Sequence, residues 1–179
     1  MINQISMKNL IRSIPNYSKS GIIFRDITTL IKDPNGLNLI VKEFLDRYDG
    51  IKIDKVAGIE SRGFIIGSHI AYALGIGFIP IRKKGKLPAK TIGCDYELEY
   101  GTDRIEIHED AVSVGENILL VDDLISTGGT AEAAITLIKK CGGNIVECSF
   151  VIELPELGGK KRLEAMGVNI FSLTEFDRH

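Results

Sequence analysis

Apolar and polar positions repeat along this chain with two different periods. Asp33-Pro34 is an N-cap and first-turn pair, and Leu37, Ile40, Val41, Phe44, Leu45 and Tyr48 follow at helical spacing, which predicts a helix with one buried face. Lys55–Ile59 and residues 78–82 are short apolar runs of the kind buried in a parallel sheet, and between them residues 64–74 predict a helix ended by Gly75. Ile118-Leu119-Leu120-Val121 is a third buried strand. Residues 130–141 then form a helix with Ala131, Ala134, Ile135 and Ile138 inward, closed by Gly142-Gly143, and residues 145–152 and 168–173 give two more strands. Only between 91 and 108 does the period fall to two. Arg104-Ile105-Glu106-Ile107-His108 alternates, residues 96–100 precede it, and Gly101-Thr102-Asp103 is a turn, so a β-hairpin is expected to project from the core. Strands alternating with helices predict an α/β fold.

Composition narrows the class. The 179 residues contain no repeat, low-complexity tract or linker, so one domain over 1–179 is expected. With 44% hydrophobic and 26% charged residues the chain is ordinarily globular. A net charge of −2 gives no broad basic field, so any anion site is local and nucleic acid is not an expected partner. No stretch approaches the roughly 20 apolar residues of a membrane span, and no long apolar segment opens the chain, so a cytoplasmic protein without a membrane partner is expected. Cys94, Cys141 and Cys148 make no C-x-x-C pair, and His69, His108 and His179 are scattered, which argues against a disulfide framework or a zinc site.

Chemistry concentrates after the third strand. Asp122 and Asp123 stand at its end, and Ser126-Thr127-Gly128-Gly129-Thr130 leads straight into a helix. Glycines let the backbone approach an anion closely, the helix start presents free N–H groups, and the hydroxyls add donors, so this loop is a phosphate site. The two carboxylates would repel a phosphate at contact. Their natural partners are ribose hydroxyls, with or without a divalent ion, and the whole reads as a site for a ribose 5-phosphate. No G-x-x-x-x-G-K-[ST] and no G-x-G-x-x-G after a strand is present, which argues against a P-loop and a dinucleotide fold.

Hydrophobic strand, two acids, two variable residues and then small-Thr-Gly-Gly-Thr resembles the phosphoribosyl pyrophosphate (PRPP) signature of the type I phosphoribosyltransferases. Four more stretches resemble the adenine-specific branch of that family, in its order: Ser20 to Thr28, Gly58-Ile59-Glu60-Ser61-Arg62-Gly63-Phe64, Ile81 to Pro88, and Tyr96-Glu97-Leu98-Glu99-Tyr100-Gly101. The likeness spans nearly the whole chain. It implies a central, mostly parallel twisted sheet flanked by helices, a small N-terminal hood over 1–34 that recognises the base, and a flexible loop with the hairpin over 83–108.

The resemblance also implies roles. Ser126, Thr127, Gly128, Gly129 and Thr130 would bind the 5-phosphate, and Asp122 and Asp123 the ribose and, through it, Mg2+, which PRPP itself mainly holds. Glu60, Ser61 and Arg62, in a loop with a non-proline cis peptide, would bind pyrophosphate together with Arg82, Lys83 and Lys86. Backbone groups of Ile23 and Arg25 would read adenine, with Phe24 or Leu124 against its face. Glu99 would be the acid/base and Tyr100 a contact of the closing loop. The reaction implied converts PRPP and adenine to AMP and pyrophosphate, in a homodimer. By residue type alone, Arg62 also suits a surface ion pair, Phe24 a core anchor and Glu99 a solvated strand position.

Two features depart from the branch: Ser20 stands where Pro is common, and Ser126 where Ala is common. The alternatives are transfer to another base, such as xanthine, hypoxanthine, guanine or orotate, or a non-catalytic PRPP-binding regulator. A 6-oxopurine site often carries a lysine near the strand after the phosphate helix, and residues 146–152 contain none. A regulator would need a nucleic-acid reader for which no basic helix is present.

Overall fold

In the computed structural model, which describes residues 4–17, 20–97 and 101–177, the described residues up to Ile31 pack as a small unit on the rest. It comprises α1 (Gln4–Leu10), an antiparallel pair β1 (Arg12–Pro15) and β2 (Ile23–Asp26), and the single turn α2 (Thr28–Ile31). The longer helix α3 (Pro34–Tyr48) starts as its sequence predicts. Asp33 accepts the N–H groups of Asn35 (2.8 Å) and Gly36 (3.4 Å), with Pro34 in the first turn. Its buried face centres on Ile40, Phe44 and Tyr48, with Leu37, Val41 and Leu45 at the margin.

After α3 the chain runs through β3 (Lys55–Ile59), α4 (Arg62–Leu74) and β4 (Gly77–Lys83). The hairpin β5 (Thr91–Glu97) and β6 (Thr102–His108) follows, then β7 (Asn117–Ile125), α5 (Gly129–Lys140), β8 (Asn144–Glu153), α6 (Gly159–Glu164) and β9 (Ile170–Glu175). One seven-stranded sheet results, in the order β5-β6-β4-β3-β7-β8-β9, parallel from β4 to β9. Side chains alternate across it. Leu119 and Val121 join the hood, α3 and α4 on one face, while Ile118 and Leu120 join α5 on the other. Both faces are covered, which is why the central strands read as continuous apolar runs.

Several boundaries differ from the expected ones: α4 starts at Arg62 and not at 64, the first hairpin strand is Thr91–Glu97 and not 96–100, β9 is Ile170–Glu175 and not 168–173, and the far end of β7 shifts in a way that creates the site. β7 continues through Asp122 and Asp123 to Ile125, because β8 pairs with it out to Glu153. β3 pairs with β7 only as far as Val121, so the two carboxylates stand on a strand whose other neighbour has ended. The hairpin turn is also displaced, since Thr102 and Asp103 pair with Glu97 and Tyr96 and belong to β6. β6 meets β4 only at Arg82–Glu106 and Lys83–Ile105, so the hairpin grows from the sheet edge and projects beyond it.

Candidate active site

The end of β3 and the start of α4 are brought hard against β7. A Cβ on Gly63 would lie 2.9 Å from both Asp122 Oδ1 and the Val121 carbonyl oxygen, so only glycine permits this approach. The preceding Glu60–Ser61 peptide bond is cis. Arg62 Nε donates to Asp123 Oδ2 on the neighbouring strand. Burial, then the charge of Asp123, pushes the Asp122 carboxyl well above the usual range. The Asp123 N–H donates to Asp122 Oδ1 (2.8 Å).

A cavity of about 440 Å³ opens over this junction, bordered by Glu60, Ser61, Arg62, Lys83, Asp122, Asp123 and Thr130. Arg82 and Lys86 do not line it. Arg82 donates to Glu60 through Nε (3.3 Å) and Nη2 (3.2 Å) and to the Lys86 carbonyl through Nη1 (3.0 Å). The Lys83 N–H also donates to Glu60 (2.9 Å). Burial opposes ionisation of Glu60, yet the Lys83 N–H and Arg82 together hold its carboxyl below the ordinary value. Tyr96 borders the same cavity, its hydroxyl donating to Asp103 (3.2 Å), while Lys83 Nζ lies 3.1 Å from that carboxylate. Neither Tyr96 nor Asp103 carries a role in the sequence pattern alone. Their cross-strand pairing in the hairpin is the signal that could have found them.

All five loop residues from Ser126 to Thr130 line a second, smaller cavity of about 110 Å³, which also touches Asp122, Leu124 and the end of β5 at Glu97. Gly128 holds φ +83, and a Cβ there would be 3.1 Å from the Gly159 carbonyl oxygen. The Gly159 N–H donates to the Ser126 carbonyl (3.0 Å), so α6 braces the loop from behind. α5 begins at Gly129, and its first N–H groups are available to an anion.

A third pocket of about 270 Å³ is largely apolar. It is lined by Ile22, Ile23, Phe24 and Arg25 of the N-terminal unit and by Leu124, Leu154 and Leu157 of the sheet and its exit, together with Arg62, Asp123 and Ser126, which it shares with the other two cavities. Leu154 and Leu157 are absent from the sequence reading, although they follow the carboxyl end of a parallel strand, where such sites form. The Asn16 N–H donates to the Ile22 carbonyl (2.8 Å). Ile14–Phe24 and Arg12–Asp26 are therefore the hydrogen-bonded pairs of the β1–β2 ribbon, since such pairs alternate along it. The backbone groups of Ile23 and Arg25 accordingly face the ribbon's open edge. Tyr17 packs on Phe24 with ring centroids 4.9 Å apart, and the Arg62 guanidinium lies 5.8 Å from the Phe24 ring centre. Glu99 and Tyr100 lie outside the described residues.

The ribbon is fastened by a charge pair. Arg12 donates to Asp26 through Nε (3.1 Å) and Nη2 (2.5 Å), and the Thr28 N–H and hydroxyl donate to it as well. Burial opposes ionisation of Asp26, but these donors outweigh it and the carboxyl falls from 3.8 to about 2. A carboxyl depressed in the folded state stabilises above its unfolded value and loses that contribution as pH falls through the folded one. The stability difference between wild type and Asp26→Asn, measured by urea unfolding, is therefore expected to be full at about pH 5 and to shrink between about 4 and about 2. A difference independent of pH across that window would contradict the assignment.

The three cavities share walls. Asp122 and Thr130 separate the first from the second, Arg62 and Asp123 the first from the third, and Leu124 and Ser126 the second from the third. An apolar slot, a polar cavity lined by two cations and three carboxylates, and a small cup of hydroxyls and glycines thus share walls around Asp122 and Asp123. Comparison with known proteins places the chain in a family. Residues 31–175 match the phosphoribosyl transferase domain family. The adenine phosphoribosyltransferase of Nitrosospira multiformis is 62% identical over 97% of this chain and 99% of its own length, and that of Methylobacillus flagellatus 60% identical over 97% and 98%. The crystal structure of adenine phosphoribosyltransferase from Thermoanaerobacter pseudethanolicus superposes with TM-score 0.93 at 45% identity, covering 97% of this chain and 100% of that one. The Saccharomyces cerevisiae enzyme, solved with adenine and an imino-altritol bisphosphate, gives 0.90 at 37% identity, covering 96% and 98%. By sequence and by fold alike, this chain belongs to the adenine phosphoribosyltransferase family.

Proposed function

We propose that this chain transfers the 5-phosphoribosyl group of PRPP to N9 of adenine, giving AMP and pyrophosphate for purine salvage. The observation that carries this reading is the meeting of the three cavities at Asp122, Asp123, Leu124 and Ser126. A purine in the apolar pocket, a 5-phosphate in the cup and a pyrophosphate beside Arg62 and Lys83 in the large cavity would hold the anomeric carbon between them.

The N9 lone pair forms the bond to C1 of the ribose as the C1–O bond breaks and its electron pair leaves on pyrophosphate. Positive charge grows on the ribose ring and negative charge on the leaving group. Asp122 and Asp123 hold the ribose hydroxyls, and Asp123 faces the developing cation. Arg62 and Lys83 meet the leaving group, while Arg82 works through Glu60 and Lys86 joins from the loop. The Ser61 backbone belongs to the same pyrophosphate cradle. Ser126 to Thr130 anchor the phosphate, the open edge at Ile23 and Arg25 reads the purine edge, and Phe24 and Leu124 pack on its faces. Glu99 takes up, at N7, the proton adenine must lose, and Tyr100 contacts the closed loop.

The paired carboxylates on the cavity wall are hard oxygen donors that fit Mg2+ carried mainly by PRPP oxygens. When bound, the ion supplies positive charge to the departing pyrophosphate.

We read 1–179 as one phosphoribosyltransferase domain, with 1–34 as the base hood and 83–108 as the closing loop and hairpin. It acts as a cytoplasmic homodimer, the assembly the family resemblance implies. Among the described residues no helix is long and apolar enough to cross a membrane.

Product analysis tests the reaction: with PRPP, Mg2+ and adenine, AMP and pyrophosphate are expected in equal amounts. Absence of AMP would overturn it. Glu99→Ala is expected to lower kcat about a hundredfold or more while PRPP binding is retained. An unchanged kcat would remove Glu99 from the mechanism.

A further inference from the structure

The two walls of the base pocket belong to different parts of the fold. Ile22, Ile23, Phe24 and Arg25 come from the hood, whereas Leu154 and Leu157 lie beyond the carboxyl end of β8. β2 pairs only with β1, over four residue pairs. A ribbon that short does not hold its own position in water, so contacts from outside it must set the width of the pocket.

The residues after β9 make such contacts. The backbone of Arg25 lies on the open edge, but its side chain turns the other way. Its guanidinium donates to Ser13 Oγ (2.6 Å) and to the Asp177 carbonyl (2.9 Å), and it sits 4.4 Å from the centre of the Phe176 ring. Lys8 of α1 approaches the same ring at 5.2 Å. The Phe176 N–H donates to the Glu153 carbonyl (3.0 Å), and the N–H of the next residue along β8's exit, Leu154, donates to the Ile125 carbonyl (3.0 Å). One unbroken set of contacts therefore runs from Arg25 on one wall, through Phe176, to Leu154 on the other. Arg25 is only 9% exposed, and a cation against an aromatic face is most effective when desolvated.

We propose that Phe176 and Asp177 are positioning residues for the base: they hold Arg25, and with it the reading edge of β2, at a fixed distance from Leu154 and Leu157. The inference rests on the assignment of this pocket to adenine. Neither residue touches the reacting atoms, so the effect belongs to base affinity and not to the chemical step.

Phe176→Leu keeps apolar bulk and removes the ring, and Phe176→Tyr keeps the ring. In Phe176→Leu the KM for adenine is expected to rise roughly tenfold, with the KM for PRPP and the kcat at saturating adenine within about twofold of wild type. Phe176→Tyr restores the wild-type KM. Without any ligand, hydrogen exchange over the β1–β2 ribbon is faster in Phe176→Leu and unchanged in Phe176→Tyr. A KM for adenine that stays at the wild-type value, a parallel rise in the KM for PRPP, or unaltered exchange over the ribbon overturns the proposal. If the wild-type protein fails to use adenine, the proposed function falls, and the exchange comparison still decides whether the tail holds the ribbon.

Discussion

Arg62→Ala is expected to lower kcat/KM for PRPP by roughly a thousandfold, the upper range for removing one preorganised group from a site of developing charge. Arg62 borders both the large cavity and the apolar pocket, and it starts the helix that Gly63 presses against β7. Its guanidinium also neutralises Asp123, which is 6% exposed. In the proposed mechanism removing it takes a cation from the leaving group, and in the fold it leaves a buried carboxylate without its partner, which is costlier than never having had the pair. Two readouts follow: steady-state kinetics with varied PRPP, and a lower unfolding midpoint in the same variant. Arg62→Lys keeps the charge but not the planar fork and is expected to recover only part of the activity. A loss of less than about tenfold in Arg62→Ala would place the leaving-group contact elsewhere.

Gly63→Ala is the second large effect, and it arises from backbone geometry. The added Cβ would meet the Val121 carbonyl oxygen and Asp122 Oδ1 at 2.9 Å, and the first of these is main chain that cannot swing aside. Either α4 retreats from β7 or Asp122 is displaced. Overpacking of this kind costs about 1–3 kcal/mol of stability. Displacing a positioned group by about 1 Å costs on the order of a hundredfold in turnover. Gly77→Ala is the control, because its nearest neighbour is Lys55 Cγ at 3.7 Å, and both stability and turnover should stay near wild type. Equal behaviour of the two variants would mean that the approach of α4 to β7 does not position Asp122.

Much of this architecture is legible from residue pattern because the pattern and the packing obey the same periods. The Asp33-Pro34 cap, the buried runs of β3 and β7 and the inward face of α5 are local signals with local causes. What is not legible depends on partners distant in sequence. The extension of β7 through Asp122 and Asp123 comes from β8, while the hydrophobic signal stops at Val121. The hood elements are four to seven residues long, too short to show a period. Arg82 reads as a substrate cation among its basic neighbours, and only the fold shows it bound to Glu60, 22 residues earlier. Leu154, Leu157 and Phe176 look like ordinary apolar residues until the ends of β8 and β9 bring them to the hood. The Ser126–Thr130 loop is the opposite case: glycines, hydroxyls and a helix start are contiguous in the chain, and all five residues line one small cavity.

The most direct test offers PRPP and Mg2+ with adenine, hypoxanthine, guanine, xanthine or orotate in separate reactions and follows pyrophosphate release. A site built from an apolar slot read by an open strand edge, with the carboxylate pair beside it, is expected to turn over adenine and to leave the other four bases unreacted. Release with a different base would keep the phosphoribosyl site and discard the assignment of Ile23, Phe24 and Arg25 to adenine. PRPP binding without release on any base would contradict the account at its centre.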